Sequence, residues 1–490
     1  MKKFTYKTAI LGLAALFISS SCTKEFDEIN SNPNSPTAVK AQYLLTMGIE
    51  SAVDRYWGHR TRFERINIDA AELYVQHLTR NIYSNEGDDY TVSVALTNNN
   101  WKGFFNDAQV NFQQIYSISN AEGKTPNTNY AGVALTMRSW VFMLLTDMYG
   151  PIPYTEAIKG TSESPIYSPK YDDMATIYDG LLKDLKSANE MLKVGGPAIS
   201  GDIMFSGDIL KWKKFTNSLR LRIANRQAAK KPTESKAVFA EILGNATTYP
   251  IFTSNADNAQ LNCTTVLPSN NEWNQVMVQD GRTDWNISKT LADKMNALSD
   301  ERITIYANAN KDGEYQGHPN GLPDAIATNY LSTSSTIGKY FTAANSPEVI
   351  MTFAELNFIL AEAAFDGDIT GDANAYFQKG MKASFEQYGL TPSTTFLTKV
   401  GTISKEKIIE QKWIALFGQG IEAWTEWRRT GFPVFPAPDS RAVLNNGGIL
   451  PTRFTYSTNE YSLNKEGVEG GKALLGGNDD MKTKLWWSEK

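Results

Sequence analysis

The sequence predicts an all-α fold with long irregular loops, and three features of its pattern indicate this. Apolar residues recur every three or four positions over most of the chain, so they share one face of a helix. Several such segments follow one another after only a few residues, which forces successive helices to pack antiparallel. Between them lie polar inserts rich in Asn, Ser, Thr and Gly, chiefly Tyr83 to Asn100, Thr253 to Ser288 and Asn308 to Ser346. Parts of these inserts, such as Leu322 to Tyr340, suit short strands, so we expect minor β content.

The first helical segments lie in the N-terminal half. Trp101 to Ile118 and Tyr130 to Met148 carry apolar residues at helical spacing. The next segment is Asp208 to Arg226, in which Asp208 precedes the pattern and is placed to cap the first turn. Its apolar face is formed by Trp212, Phe215, Leu219 and Ile223.

Two helix pairs are predicted in the C-terminal half. Met351 to Ala364 is apolar nearly all round, which indicates a helix buried on most sides. The helix that follows has one face formed by Phe377, Met381, Phe385 and Tyr388. The second pair consists of a helix around Trp413 and a helix that runs from Ile421 to Arg429. Gly431 and Pro433 end the latter helix. Such pairs resemble tetratricopeptide units, without a visible repeat of about 34 residues.

The N-terminus predicts export and lipid attachment. Lys2 and Lys3 provide a positive start before an apolar run from Thr8 to Ile18, and three serines then lead to Cys22, a pattern typical of a signal peptide. The run is too short to span a bilayer, which needs about twenty apolar residues. We expect cleavage before Cys22 and acylation of its thiol, the alternative being an ordinary secretory signal with an incidental cysteine. The prediction is therefore a signal peptide over 1–21, a polar tether over 22–37 and one helical domain over 38–490.

Composition argues against several other functions. The chain has 53 acidic and 48 basic residues, so its charge provides no reason to expect a nucleic-acid partner. Its three histidines form no ligand pair at helical spacing, and we predict neither a metal site nor a cofactor. Asp366 to Asp372 resembles the start of a calcium loop, but Phe377 stands where the bidentate glutamate belongs. We therefore expect a turn, with Asp372 capping the next helix.

Five further blocks occur in order along the chain, and they are Thr146 to Tyr154, Lys211 to Arg222, Ala354 to Ala363, Gln411 to Gly431 and Leu485 to Trp487. Together they resemble the SusD/RagB family of nutrient-binding outer-membrane lipoproteins. The resemblance implies tetratricopeptide-like helix pairs as a scaffold, with variable loops that form the ligand site. It also implies a partner, a SusC-like TonB-dependent barrel in the outer membrane.

The function that this resemblance implies is capture of a nutrient outside the cell. The protein would be lipid-anchored to the outer membrane, facing the exterior, and would deliver an oligosaccharide, or a peptide, to the barrel. One alternative is a structural lid for the barrel without ligand affinity of its own. Another is a glycoside hydrolase, but the chain lacks the common nucleophile-elbow, phosphate-loop and zinc-protease motifs. We therefore predict a binding protein and not an enzyme.

Ligand-binding candidates are sought in the long loops. A sugar ring has an apolar face and a belt of hydroxyls, so its site needs an aromatic plane surrounded by amide, carboxylate or guanidinium groups. The aromatic candidates are Trp57, Tyr83, Tyr90, Trp273, Trp285 and Tyr315. The polar candidates are Asn85, Asn274, Arg282, Asp284 and Asn286. The alternative for each of them is to cover a small core within its own loop.

Overall fold

The computed structural model describes residues 39–160 and 164–488. The predicted signal peptide, the predicted tether and the predicted lipidation site Cys22 lie outside these residues. Within them helices predominate and strands are few, which confirms the all-α prediction with minor β content. No helix in the described part of the chain is long and apolar enough to cross a membrane.

Helices cover most of the described chain. Those of the first half are α1 Ala41–Trp57, α2 Glu72–Tyr74, α3 Val94–Lys102, α4 Val110–Ser119, α5 Thr128–Tyr149, α6 Met174–Met191, α7 Ile209–Gln227 and α8 Pro232–Gly244. Those of the second half are α9 Lys289–Leu298, α10 Ile303–Tyr306, α11 Asp324–Ala327, α12 Phe353–Phe365, α13 Ala373–Glu386, α14 Thr394–Val400, α15 Lys405–Ala415, α16 Gly420–Thr430, α17 Thr458–Leu463 and α18 Lys465–Leu474.

Shorter elements interrupt or join these helices. Three stretches form π-helical turns, and they are Asn67–Ala71, Gly103–Gln109 and Asn274–Gln279. Three others form single 3₁₀ turns, and they are Asn255–Asp257, Thr328–Tyr330 and Asn446–Gly448. The strands are β1 Leu78–Arg80, β2 Ala259–Leu261, β3 Trp285–Ile287 and β4 Glu348–Met351. They form two antiparallel pairs, β1 with β3 and β2 with β4.

Consecutive helices pack against one another through the molecule. Helix α4 packs on α1 and α5, and α6, α7 and α8 follow in the same way. Helix α7 also contacts α12, which packs on α13 and α15, and α15 then contacts α16. This succession of neighbouring pairs is the arrangement that the short predicted connections require.

Two helices show why the sequence folds locally as it does. The Asp208 carboxylate accepts hydrogen bonds from the amides of Leu210 (2.9 Å) and Lys211 (3.1 Å), so it caps α7 as predicted. In α13, Gly380 lies against the Phe358 ring of α12, and a Cβ there would come within 2.9 Å of that ring. The absence of a side chain therefore allows α12 and α13 to approach closely.

Three boundaries differ from the sequence predictions, and a fourth agrees with them. Met351 belongs to β4, where it pairs with Ala259, and Thr352 caps α12 through its hydroxyl, so the helix starts after both. The insert Tyr83 to Asn100 is not entirely a loop, because Ser93 caps α3 and the last residues of the insert belong to this helix. Leu322 to Tyr340 holds α11 and a 3₁₀ turn, with isolated bridges at 336 and 337 in place of strands. The turn before α13 is confirmed, with Asp372 as its cap.

A buried network of ion pairs joins the scaffold helices. Arg226 of α7 contacts Asp147 of α5 and Glu422 of α16, and all three side chains are buried. One turn earlier, Arg222 pairs with Glu355 of α12 at 2.5 Å. Because an unpaired charge is costly in the interior, these pairs fix how the helices meet.

Candidate ligand-binding site

The β1/β3 pair places two loops side by side. Arg80 of β1 lies opposite Trp285 of β3 in the antiparallel register. Beyond the strand end, Asn81 donates its backbone amide to the Asp284 carbonyl (3.0 Å) and its side-chain amide to the Thr283 carbonyl (2.7 Å). The loop that follows β1, residues 82–90, is therefore held next to the segment that leads into β3.

A buried carboxylate ties a third segment to these two. Asp88 accepts hydrogen bonds from the Thr79 hydroxyl (3.1 Å), the Asn320 side-chain amide (2.7 Å) and the Gly321 backbone amide (2.9 Å). Its burial raises the pKa to about 6, because desolvation outweighs these hydrogen bonds. Asp88 thereby fixes the 319–324 loop against the loop after β1.

The chain near residue 443 completes the arrangement. Val443 donates its amide to the Gly321 carbonyl (2.9 Å), and Asn445 donates its amide to the Asp89 carbonyl (2.7 Å). Gly321 has a positive φ of 76°, and a Cβ on it would lie 2.6 Å from Leu444 Cδ2. A side chain at this position would therefore push the two loops apart.

These three loops border an open cavity, which we call the loop site. Its volume is about 420 Å³, and it is lined by Ser84, Asn85, Asp89, Gly321, Pro323, Asp324 and Val443. The Asp324 carboxylate accepts hydrogen bonds from the Tyr83 amide (3.1 Å) and from the Ser84 amide and hydroxyl (both 2.8 Å). Burial acts to raise the pKa of Asp324, but these donors lower it below its usual value. The loop site therefore contains an ionised carboxylate held in place.

An exposed aromatic ring lies beside this cavity. Tyr83 is 39% exposed, and its backbone has a positive φ of 58°. The guanidinium carbons of Arg62 and Arg282 lie 5.8 and 5.4 Å from its ring centre. An aromatic surface with amide, carboxylate and guanidinium groups around it is suited to a neutral polar ring such as a sugar.

Four predicted candidates lie in or near these loops. The exposed Asn85 lines the loop site, Tyr83 precedes its first lining residue, and Arg282 is half-buried beside the Tyr83 ring. Tyr90 lines a second cavity of about 190 Å³, which is also lined by Asn320 and Leu444. This cavity is called the side cavity below.

Three other candidates are part of the core. Trp57 and Trp273 are at most 1% exposed, and their rings pack together with centres 5.4 Å apart. Each indole nitrogen donates to a backbone carbonyl, that of Val349 (2.9 Å) and that of Trp57 (2.8 Å) respectively. Asn274 is buried as well and donates to the Thr342 carbonyl (2.7 Å). We therefore do not include these three in the candidate site.

The remaining candidates support the loop site or lie elsewhere. Trp285 is buried under the guanidinium groups of Arg65 and Arg80, 5.2 and 4.9 Å from its ring centre. Asp284 and Asn286 flank it and are buried too, Asp284 as the ion partner of Arg282. Tyr315 is half-buried and does not line the loop site; its carbonyl accepts a hydrogen bond from Asn296 of α9.

Several residues of the loop site were missed by the sequence analysis. Ser84, Asp89 and Asp324 lie in inserts that were recognised as long loops. Ser84 and Asp89 adjoin the candidates Tyr83 and Tyr90, and this proximity was the signal that would have found them. Val443 and the nearby Arg441 lie in the stretch between α16 and α17. That stretch has no helical periodicity and is longer than most connections, a signal that would have found it.

The described residues contain no group of three or more His, Cys, Asp or Glu side chains placed to hold a metal ion. The carboxylates of the loop site are instead occupied by backbone amides and neighbouring side chains. Asp89, for example, accepts from the Thr91 amide and the Asn445 side chain, both at 2.8 Å.

Solved structures with the same fold were found by comparison. One is described as a chitin-binding protein, which is 27% identical, with a TM-score of 0.80, covering 92% of this chain and 100% of its own. A chitin-binding SusD homologue from Flavobacterium johnsoniae is 22% identical, with a TM-score of 0.77, covering 90% of this chain and 98% of its own. A SusD homologue from Bacteroides uniformis is 24% identical, with a TM-score of 0.79, covering 91% and 100%.

A match to a family model establishes the family to which the chain belongs. The sequence matches none of the curated proteins with which it was compared. Residues 33–457, however, match the SusD-like family described as "Starch-binding associating with outer membrane". This match covers most of the chain, and the similar structures include SusD homologues. The chain therefore belongs to the SusD-like family.

Proposed function

We propose that this protein is a cell-surface lipoprotein that binds an oligosaccharide and delivers it to a SusC-like TonB-dependent barrel in the outer membrane. The descriptions of its family and of the 27% identical structure, starch-binding and chitin-binding, support a carbohydrate as the ligand. Acylation of Cys22 would hold the protein at the membrane, with the helical domain facing the exterior. In this proposal the protein binds its ligand without chemically changing it.

The observation that carries the proposal is the convergence of three loops on the loop site. Residues 82–90, 319–324 and 441–445 are remote in sequence, yet Asp88, Gly321 and Asn445 bond them to one another. They present an exposed tyrosine next to an ionised carboxylate and an exposed amide. Stacking on such a ring plus a few hydrogen bonds yields modest affinity, which suits a ligand that must be released to a transporter.

Calorimetry on the purified domain tests the ligand class. Wild-type protein is titrated with oligosaccharides of glucose and of N-acetylglucosamine and with peptides of similar length. We expect heat of binding with at least one carbohydrate and none with the peptides. Binding of peptides alone would show that the ligand is a peptide and not a carbohydrate. If neither class bound, the proposal would be overturned.

One substitution tests the place of binding. Tyr83→Asn removes the ring but keeps a residue that tolerates a positive φ, so the loop can retain its shape. We expect carbohydrate affinity to fall about fivefold or more, since stacking of a ring on an aromatic side chain contributes about 1–3 kcal/mol. The matched control is Tyr43→Asn, which removes a 57% exposed tyrosine from α1, and we expect it to bind as wild type does.

Growth separates capture from a purely structural role. Cells that carry Tyr83→Asn should take up the oligosaccharide poorly at low concentration if the protein captures it for the barrel. Uptake equal to wild type would favour the lid without ligand affinity. For the anchor, metabolic labelling with palmitate should mark the wild type and not Cys22→Ser, and an unlabelled wild-type protein would contradict lipidation.

A further inference from the structure

The side cavity is formed in part by the same three loops as the loop site. The two are lined by consecutive residues of these loops, namely Asp89 and Tyr90, Gly321 and Asn320, and Val443 and Leu444. A ligand that extends across the three loops would therefore meet both cavities. The side cavity has a volume of about 190 Å³, which is several times the ~30 Å³ that one water molecule occupies in the liquid, so it admits a group of several heavy atoms.

The lining of the side cavity is mainly apolar. Its apolar members are Tyr90, Pro319, Pro436, Ala437, Pro438 and Leu444. Methyl groups and hydrocarbon gain free energy on leaving water for such a surface, whereas a sugar hydroxyl placed against these residues, away from the polar groups of the cavity, loses its hydrogen bonds. The cavity thus favours a ligand group that ends in carbon.

The charged residues at the side cavity neutralise one another. Lys289 pairs with Asp293 at 2.5 Å, and Asp439 pairs with Arg441 at 2.8 Å. Neither pair leaves a net charge for a ligand to match. An ionised group such as a sugar carboxylate, sulfate or free amine therefore meets no net opposite charge, which favours a neutral ligand group.

Two neutral polar groups of the side cavity have free donors, whereas the Thr290 hydroxyl donates to Gln76 and the Asn320 amide donates to Leu78 and Asp88. The Tyr90 hydroxyl has no hydrogen-bond partner among the described residues, and burial raises its pKa to about 12, so it remains a donor. The Gln76 side chain accepts a hydrogen bond from the Thr290 hydroxyl through its oxygen. Its amide nitrogen donates to no protein group in residues 39–160 and 164–488. Both groups are thus available to a carbonyl oxygen.

We infer that the side cavity holds the acetamido group of an N-acetylated sugar unit whose ring lies at the loop site. The inference rests on the proposed carbohydrate-binding function and narrows it to acetylated amino-sugar oligosaccharides. The acetamido methyl contacts Ala437, Pro438 and Leu444, and its carbonyl accepts from Tyr90 and Gln76. The group is neutral, small and apolar at its end, as the cavity requires.

The test compares ligands that differ only in acetylation. Calorimetry is run with the pentamer of N-acetylglucosamine, its deacetylated form and two glucose pentamers, the α-1,4 and the β-1,4 linked. We expect the acetylated pentamer to bind at least about tenfold more tightly than the other three, because one small group in an apolar pocket is worth that much. Equal affinity for a glucose pentamer would overturn this inference and leave the proposed function intact. If none of the four pentamers bound, both this inference and the proposed carbohydrate-binding function would be contradicted.

Two substitutions locate the effect in the side cavity. Ala437→Leu adds three carbon atoms to its lining and should lower affinity for the acetylated pentamer about tenfold or more, without lowering affinity for glucose pentamers. Tyr90→Phe removes only the hydroxyl and should lower the affinity for the acetylated pentamer a few-fold. Ala297→Leu, on the exposed side of α9, is the matched control. Unchanged acetylated-pentamer affinity in a folded Ala437→Leu protein would overturn the assignment.

Discussion

Asp54 of α1, Glu272 of the second polar insert and Glu348 of β4 form an acidic cluster in which both glutamates are buried and Asp54 is half-buried. Glu272 donates its backbone amide to the Glu348 carboxylate (2.7 Å), and one carboxylate oxygen of each glutamate has no hydrogen-bond partner in the described structure. Burial raises the pKa of all three residues, and that of Glu272 to about 8. At neutral pH the Glu272 carboxyl therefore holds a proton that solvent-exposed carboxyls have lost.

This cluster predicts a loss of stability at alkaline pH. Because the folded-state pKa of Glu272 lies above its ordinary value of 4.5, the folded state binds the proton more tightly than the unfolded chain. Its stabilising contribution is complete below about pH 4.5 and is lost as the pH rises to about 8. The Gln side chain of the Glu272→Gln variant stays neutral at every pH. Between pH 5 and 8.5 the free energy of unfolding of this variant should therefore fall by about 1–3 kcal/mol less than that of the wild type.

Urea unfolding at several pH values measures this difference. Glu466→Gln, an exposed glutamate of α18, is the matched control and should follow the wild-type pH profile. If Glu272→Gln and wild type lost stability in parallel, Glu272 would not be the group that titrates.

Single residues also show the limit of the site prediction. Tyr83 and Trp273 both lie in polar inserts beside asparagines, and the sequence treats them alike. Trp273 is buried because its indole nitrogen reaches a backbone carbonyl on α1, more than 200 residues away in sequence. Local neighbours cannot reveal such a partner, so the exposed tyrosine was predicted together with a core tryptophan.

At the scale of elements, a single cap should have a measurable effect. Asp208 satisfies two amides of the first turn of α7, which is otherwise packed against α6, α8 and α12. Asp208→Ala should lower the free energy of unfolding by about 1 kcal/mol, the usual value of such a cap. Thermal or urea unfolding measures the change.

The matched control for this cap is Asp208→Asn. Asparagine keeps a side-chain oxygen that accepts from the same amides, so most of the stability should return. An alanine variant as stable as wild type would show that tertiary packing alone holds the start of α7.

Elements were predictable where periodicity was strong and long. The apolar faces of α7, α12 and α13 and the caps Asp208 and Asp372 follow from the sequence because side chains three and four apart share a face. The start of α3 and the β4 strand did not follow. Met351 joins a strand only because Ala259 lies opposite it, and that pairing depends on the assembled core.

At the scale of the whole molecule, buried ion pairs join helices that are remote in sequence. Arg226→Met would leave Asp147 and Glu422 buried without their cation, so it should destabilise the protein by about 3–5 kcal/mol. The comparison is Lys231→Met, which breaks a more exposed pair with Asp179 and should cost less than about 1 kcal/mol. Urea unfolding measures the free energy of unfolding of both variants. A similar small loss of stability in the two variants would contradict a structural role for the buried ion pairs.

The central claim is that a rigid helical scaffold presents three loops as one carbohydrate site. A crystal structure of the protein with the pentamer of N-acetylglucosamine tests it most directly. We predict a sugar ring against Tyr83, hydrogen bonds to Asn85 or Asp324, and an acetamido group beside Ala437. A sugar bound instead in the separate cavity of about 510 Å³ near Trp101 and Tyr167, with the loop site empty, would contradict the claim.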